Sequence, residues 1–410
     1  DRPARVNMVW GGTAESNEFG THEFFDFAER LGAKTYLNLN LGTGTAKEGA
    51  DWLEYITAET GDRAEERRTN GRDTPWTVDY LSIGNETWGC GGAITAGAYA
   101  DLYAQFASFA KTAGDQPVRI ISGAHDANPE YADTILEHPY IADLAEGKTV
   151  ADSDFEHDYT LPTGDWGKKG AATGFPEAEW ASTMKRTLRM ADVIEDQKAI
   201  LKKHDLPADA FGLYVDEWGM WVDQDEATDP PALYQQGSIR DAIVAGLNLN
   251  LFHAHADVVK MTNIAQMVNV LQAMILTDGP DMVLTPTYHV FDMYQPFMGA
   301  EALEMNLQLP DYVLGDVTVP AISASAARTE DGRIVLALVN ASAHDDHLVD
   351  ASAFGASKAT GRILQGEEMD SHNTFDAPDR VQPAPYIVDG TADDLVLSIP
   401  ARSVVVVTLD

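Results

Sequence analysis

The chain has 410 residues, 44% of them hydrophobic, enough to bury one large core and a smaller one, which excludes a disordered chain. Its 28 basic residues against 65 acidic ones give a formal charge of −37, which repels polyanions at long range and argues against a nucleic-acid partner. The most apolar stretch, Ile264 to Leu276, is broken by Gln266, Asn269 and Gln272, so no membrane-spanning segment of about eighteen apolar residues is expected.

From the start to Gly299, short apolar runs alternate with amphipathic stretches, the pattern of repeating β/α units around a parallel sheet. Strands are predicted at Lys34–Asn40, Val78–Ile83, Val118–Ser122, Phe155–Tyr159, Leu213–Asp216 and Val258–Thr262, and helices at Thr21–Leu31, Ala96–Ala113, Pro176–His204 and Gln235–Leu249. Apolar strands that end in polar residues place chemistry at their C-terminal ends, which favours a (β/α)8 TIM barrel. A barrel needs eight strands, so two are expected to precede Asp1. The opening Asp1-Arg2-Pro3 lacks both an initiator Met and a signal-peptide pattern, and a cut N-terminus is expected. Beyond residue 299 the helical period gives way to β-rich segments at Val319–Ala327, Arg333–Asn340, Lys358–Leu364 and Leu395–Leu409, read as an antiparallel β-sandwich. Met369–Val388 is predicted to be a loop between its strands. The expected domains are thus a partial barrel at 1–299 and a sandwich at 300–410.

Tyr80-Leu81-Ser82-Ile83-Gly84-Asn85-Glu86 is an apolar strand that delivers an Asn-Glu pair into the turn Thr87-Trp88-Gly89-Cys90-Gly91-Gly92. A carboxyl desolvated beside an aromatic wall holds a proton near neutrality and is able to give it to a leaving oxygen. The plainer reading, a strand-end carboxylate capping the next helix, is about equally favoured on this segment alone. Leu213-Tyr214-Val215-Asp216-Glu217-Trp218 repeats the arrangement; here the plain alternative is an acidic loop. Two glutamates on different strand ends are able to flank one glycosidic bond.

Together with Trp10-Gly11-Gly12, Phe19-Gly20-Thr21-His22-Glu23-Phe24, Gly71-Arg72-Asp73 and Asn263 through Gln272, these stretches resemble the glycoside hydrolase family 51 α-L-arabinofuranosidases along nearly the whole chain. The resemblance implies a retaining hydrolase with Glu86 as acid/base and Glu217 as nucleophile. It implies that Asn85 binds the sugar 2-hydroxyl, that His157 approaches the acid/base and Tyr159 the nucleophile, that Trp221 walls the pocket and that Gln266 holds the furanose. Asp158 departs from the aromatic residue usual between His157 and Tyr159, and without this context His157 reads as a core histidine. The resemblance further implies an arabinofuranosyl oligo- or polysaccharide as partner, no cofactor or metal, and a homo-oligomer, commonly a hexamer. Family members carry two further βα units ahead of the Trp-Gly-Gly segment, supplying sugar contacts missing here, so the 410 residues alone are expected to be weakly active or inactive.

Other readings remain open. A β-xylosidase, an endoglucanase or a non-catalytic sugar-binding fragment uses the same scaffold. Metal-dependent hydrolysis invites attention to His125-Asp126, His157, Asp216 and His253-Ala254-His255. Gly42-Thr43-Gly44-Thr45-Ala46-Lys47 faintly resembles a phosphate cradle without its spacing, and is read as a turn at the barrel mouth. Trp88, Trp166, Trp180 and Trp221 fit a cleft or a core equally well. The single cysteine, Cys90, excludes a disulfide framework and leans towards a reducing, cytoplasmic location.

Overall fold

The structure, a computed structural model, describes residues 3–8, 12–123, 129–143, 152–206, 211–224, 233–308 and 310–410. Trp10, Gly11, His125 and Asp126 lie outside them. The chain divides into two compact units: Asp1–His157 with Glu195–Val215 and Asp257–Met261, and Asp158–Ile194 with Asp216–Ala256 and Thr262–Asp410.

The first unit is organised on a sheet whose strands follow chain order: Tyr36–Leu39, Tyr80–Ile83, Val118–Ile121, Asp152–Thr160, Leu213–Met220 and Val259–Ile264. These are the six strands expected, and the pairings among the first four are parallel, with Tyr36, Tyr80 and Val118 in one row. One face packs Ile120 and Tyr214 with Tyr36, Tyr80, Val118 and Met261. Tyr80 meets Tyr36 at 6.4 Å and Tyr214 at 5.9 Å, edge to face. The last three strands continue into the second unit, so their C-terminal ends belong there.

The first strand is shorter than predicted because Asp79 intervenes at its start: its carboxylate accepts from both the N–H and the hydroxyl of Thr35. Helices Ala46–Thr57 and Asp62–Thr69 were not anticipated; Thr45 and Glu48 form a capping box that starts the former directly after the glycine turn. The hairpin of Arg5–Asn7 with Thr13–Glu15 is also new. It is too short to show a period and is tied by Arg5 and Asn7 side chains to Glu15. The predicted helix Pro176–His204 is two helices, Glu177–Thr187 and Met190–Lys203.

In the second unit, helix Ile239–Ala254 starts at the N-cap Ser238, whose hydroxyl accepts from Arg240 N–H while Asp241 closes the capping box. This start lies four residues beyond the predicted Gln235. Almost every residue of the helix is buried, Arg240, Asp241, Asn248 and Asn250 among them. One face lies on the sandwich: a Cβ on Gly246 would come within 2.8 Å of Val339. The sandwich sheet runs Glu301–Leu303, Ile322–Arg328, Ile334–Asn340, Ser403–Leu409, Lys358–Gln365, Ala384–Asp389, every pairing antiparallel. Its core joins Leu336, Leu338, Val405 and Val407 to Leu397 and Ile399. The last strand in that order overlaps the end of the predicted Met369–Val388 loop, because its half-exposed alternation was masked by prolines.

At the contact of helix and sandwich, His253 Nδ1 lies 2.9 Å from Ser325 Oγ and its ring stacks 4.5 Å from Phe297. It is a packed histidine of the helix end, apart from His255 at the C-cap. Burial pushes His253 down to about 4 from 6.5. The unfolded chain therefore binds the proton first, and stability falls as pH drops from about 6.5 to 4, by about 3 kcal/mol over the whole window. Thermal unfolding across this range should show His253→Gln losing less stability on acidification than the parent protein; parallel losses would show that His253 is not the sensor.

Candidate active site

Glu86 lies just past the Tyr80–Ile83 strand, with a left-handed φ of 45°. Its conformation is imposed from both sides. Below, the buried Thr87 hydroxyl lies 3.1 Å from Ser122 Oγ and 3.0 Å from Tyr131 OH. Above, the N–H groups of Gly89 and Gly91 both donate to the Glu86 carbonyl. A Cβ on Gly91 would sit 1.7 Å from the Asn85 carbonyl oxygen, so only glycine lets the turn close. Gly42 lies against the same turn, since a Cβ there would meet the Gly91 oxygen at 2.7 Å. The glycines of the Gly42–Gly44 segment therefore serve close backbone packing, not a phosphate.

The Glu86 carboxyl is thus presented with two partners in the first unit. His157 Nδ1 lies 2.9 Å from Oε1, with the imidazole only 3% exposed. The Cys90 thiol donates to Oε2 at 2.7 Å. The next helix begins at Ala96 after Thr95, so Glu86 caps no helix. Asn85 beside it is exposed.

In the second unit Asp216 and Glu217 are within the Leu213–Met220 strand and half-buried, not in an acidic loop. The Tyr159 hydroxyl donates to Glu217 Oε1 at 2.5 Å. Trp221 meets Tyr159 edge-on at 4.9 Å, and the exposed Trp166 meets Trp221 at 5.2 Å. The Lys169 ammonium stands 5.7 Å and 5.6 Å from the Trp166 and Trp221 ring centres. Asp223 holds this loop through the N–H groups of Lys169 and Gly170. Behind it, the buried Arg240 donates to Ala171 O and lies 3.5 Å over the Phe175 ring; desolvation lowers its pKa to about 10. The strand end is fixed by Gln235, which accepts from Val222 N–H and donates to Met220 O. Gly219, at φ 134°, leaves room for the Gln272 amide that donates to Trp218 O. Gln266 is exposed, directly after the Val259–Ile264 strand.

Asp158 points its buried carboxylate towards Arg189, 3.9 Å away. Its departure from an aromatic residue is therefore accommodated by a cation. Of the other tryptophans, Trp180 is core, donating to Ala341 O at 2.8 Å, and Trp88 is half-buried.

Models of the α-L-arabinofuranosidase 1 domain and the α-L-arabinofuranosidase C-terminal domain match residues 1–162 and 216–403. An intracellular exo-α-L-arabinofuranosidase of Bacteroides ovatus is 40% identical, the match covering 100% of this chain and 79% of that protein. The crystal structure of the family 51 arabinofuranosidase of Xanthomonas axonopodis pv. citri is 42% identical with a TM-score of 0.91, covering 100% of this chain and 82% of that one. This chain belongs to the family 51 α-L-arabinofuranosidases. The arabinofuranosidase of Thermotoga maritima, at 23% identity and a TM-score of 0.81 over 100% of this chain and 82% of its own, shares the fold. As a family 51 member the chain is a glycoside hydrolase acting on carbohydrate, with the family's α/β barrel and C-terminal sandwich.

The turn residues missed by sequence reasoning have a common cause. Cys90, Gly91 and Gly42 act through backbone closeness, and Lys169, Asp223, Gln235 and Arg240 through a loop fold, neither of which has a periodic signal; the one available hint was the four-residue spacing of Glu86 and Cys90. Gly91→Ala should displace Glu86 and cut kcat/KM about 100-fold, the cost of misplacing a reacting group by an ångström, with the circular dichroism spectrum preserved. An unchanged rate would mean that the turn does not set the carboxyl.

Proposed function

We propose that the protein releases terminal α-L-arabinofuranosyl residues from oligo- or polysaccharides with retention, Glu86 serving as general acid/base and Glu217 as nucleophile. The observation that carries this assignment is the difference between their partners. A histidine nitrogen donates or accepts according to its tautomer, so His157 at 2.9 Å from Glu86 is able to follow a carboxyl that alternates between protonated and ionised. A phenol facing a carboxylate donates, which favours the charged form, and Tyr159 does so to Glu217. A nucleophile has to stay ionised.

In this reading the two held carboxyls work on one anomeric carbon, as retention requires. Glu86 first protonates the departing oxygen while Glu217 attacks; Glu86 then takes a proton from water, which displaces Glu217. In the same reading Asn85 bonds the 2-hydroxyl, Trp221 walls the furanose and Gln266 binds it, within a catalytic domain at 1–299. The arabinose preference rests on relatives named for it. A cytoplasmic homo-oligomer is part of the proposal, the B. ovatus relative being named as intracellular; no described helix is long and apolar enough to cross a membrane.

In the whole gene product, Glu217→Ala should abolish hydrolysis of every arabinofuranoside. Glu86→Gln should lower the rate on methyl and sugar aglycones about 10²- to 10⁴-fold while sparing much of the first step on dinitrophenyl arabinofuranoside. Near-parental turnover by Glu217→Ala would sink the assignment.

A further inference from the structure

We propose that Cys90 is a positioning residue of the reaction, its thiol holding Oε2 of the acid/base carboxyl while His157 meets Oε1. The inference rests on the reading of Glu86 as acid/base. The contact is built by backbone and not by side-chain packing. Gly89 and Gly91, on either side of Cys90, both donate their N–H groups to the Glu86 carbonyl, and Gly92 and Ala93 donate to Gly89 O. The turn thereby folds back on the residue that starts it, and Sγ arrives 2.7 Å from Oε2 although Cys90 itself is exposed. With His157 Nδ1 on Oε1, each oxygen of one carboxyl has its own partner, from a different segment.

The chemistry suits the position. A thiol is a weak donor, so it favours the carboxylate needed in the second step without locking the group out of the protonated form needed in the first. A strong cationic donor would hold the group ionised. Removing the thiol takes away both a constraint on the carboxyl plane and a bond that favours its charged form.

The alkaline limb of the kcat/KM profile, which follows loss of the acid proton, should therefore move to higher pH by about half a unit in Cys90→Ala, the effect of one weak hydrogen bond. The loss of kcat/KM should be about 5-fold with methyl arabinofuranoside and smaller with the dinitrophenyl glycoside, which needs little acid assistance. Cys90→Ser, which keeps a donor, should restore both the limb and the leaving-group dependence. An unmoved limb in Cys90→Ala, or a serine variant indistinguishable from the alanine one, overturns the proposal. Glu86→Gln measured alongside separates the two ideas: if it spares the methyl glycoside, the acid/base reading itself falls, whereas loss with Glu86→Gln and no effect at Cys90 removes this inference alone.

Discussion

Two hydrogen bonds leave the Asp152–Thr160 strand two residues apart, from His157 to Glu86 and from Tyr159 to Glu217. Each glutamate is held by the surroundings of its own unit. On the Glu86 side this takes a positive φ, a turn that only glycine closes and a buried hydroxyl cluster under Thr87. On the Glu217 side it takes a strand end clamped by Gln235, beside a loop whose Ala171 carbonyl accepts from the buried Arg240.

The two sides are made rigid by different means. The Glu86 turn is closed above by main-chain N–H to main-chain carbonyl bonds and held below by the Thr87, Ser122 and Tyr131 hydroxyls. The loop that carries Trp166 and Lys169 is a side-chain device, hung on Asp223 and on a buried guanidinium that donates to the Ala171 carbonyl and lies over the Phe175 ring, its desolvation opposed in part by Asp241, Glu179 and Asp370. Loss of one partner there leaves a buried charge uncompensated. The helix Ile239–Ala254, which carries Arg240, also packs on the sandwich through Gly246, so the sandwich and the tryptophan loop are supported by the same helix.

Much of this was legible in the chain. Tyr36–Leu39, Tyr80–Ile83, Val118–Ile121 and the start of Leu213–Met220 carry apolar runs, and both glutamates follow such runs, so their placement followed from periodicity. His157 and Tyr159 were reachable only through the family resemblance, because a His-x-Tyr on a strand reads equally well as core. The start of the Ile239–Ala254 helix was misplaced and the Ala46–Thr57 helix missed where caps decide them: Ser238 and Thr45 act through single side-chain oxygens that leave no periodic trace. Cys90 was legible as a redox marker and not as a partner of Glu86, since the turn that unites them depends on glycine conformations unrelated to hydrophobic pattern.

The central claim is that the two carboxyls act from opposite sides of one anomeric carbon through a covalent glycosyl-enzyme. The most direct measurement is the anomeric configuration of the product formed by the whole gene product when methanol competes with water, read by NMR because a methyl furanoside does not mutarotate. The account predicts methyl α-L-arabinofuranoside, the configuration of the substrate, from two displacements. Methyl β-L-arabinofuranoside would mean a single displacement with the carboxyls set further apart, and would contradict the roles assigned to Glu86 and Glu217.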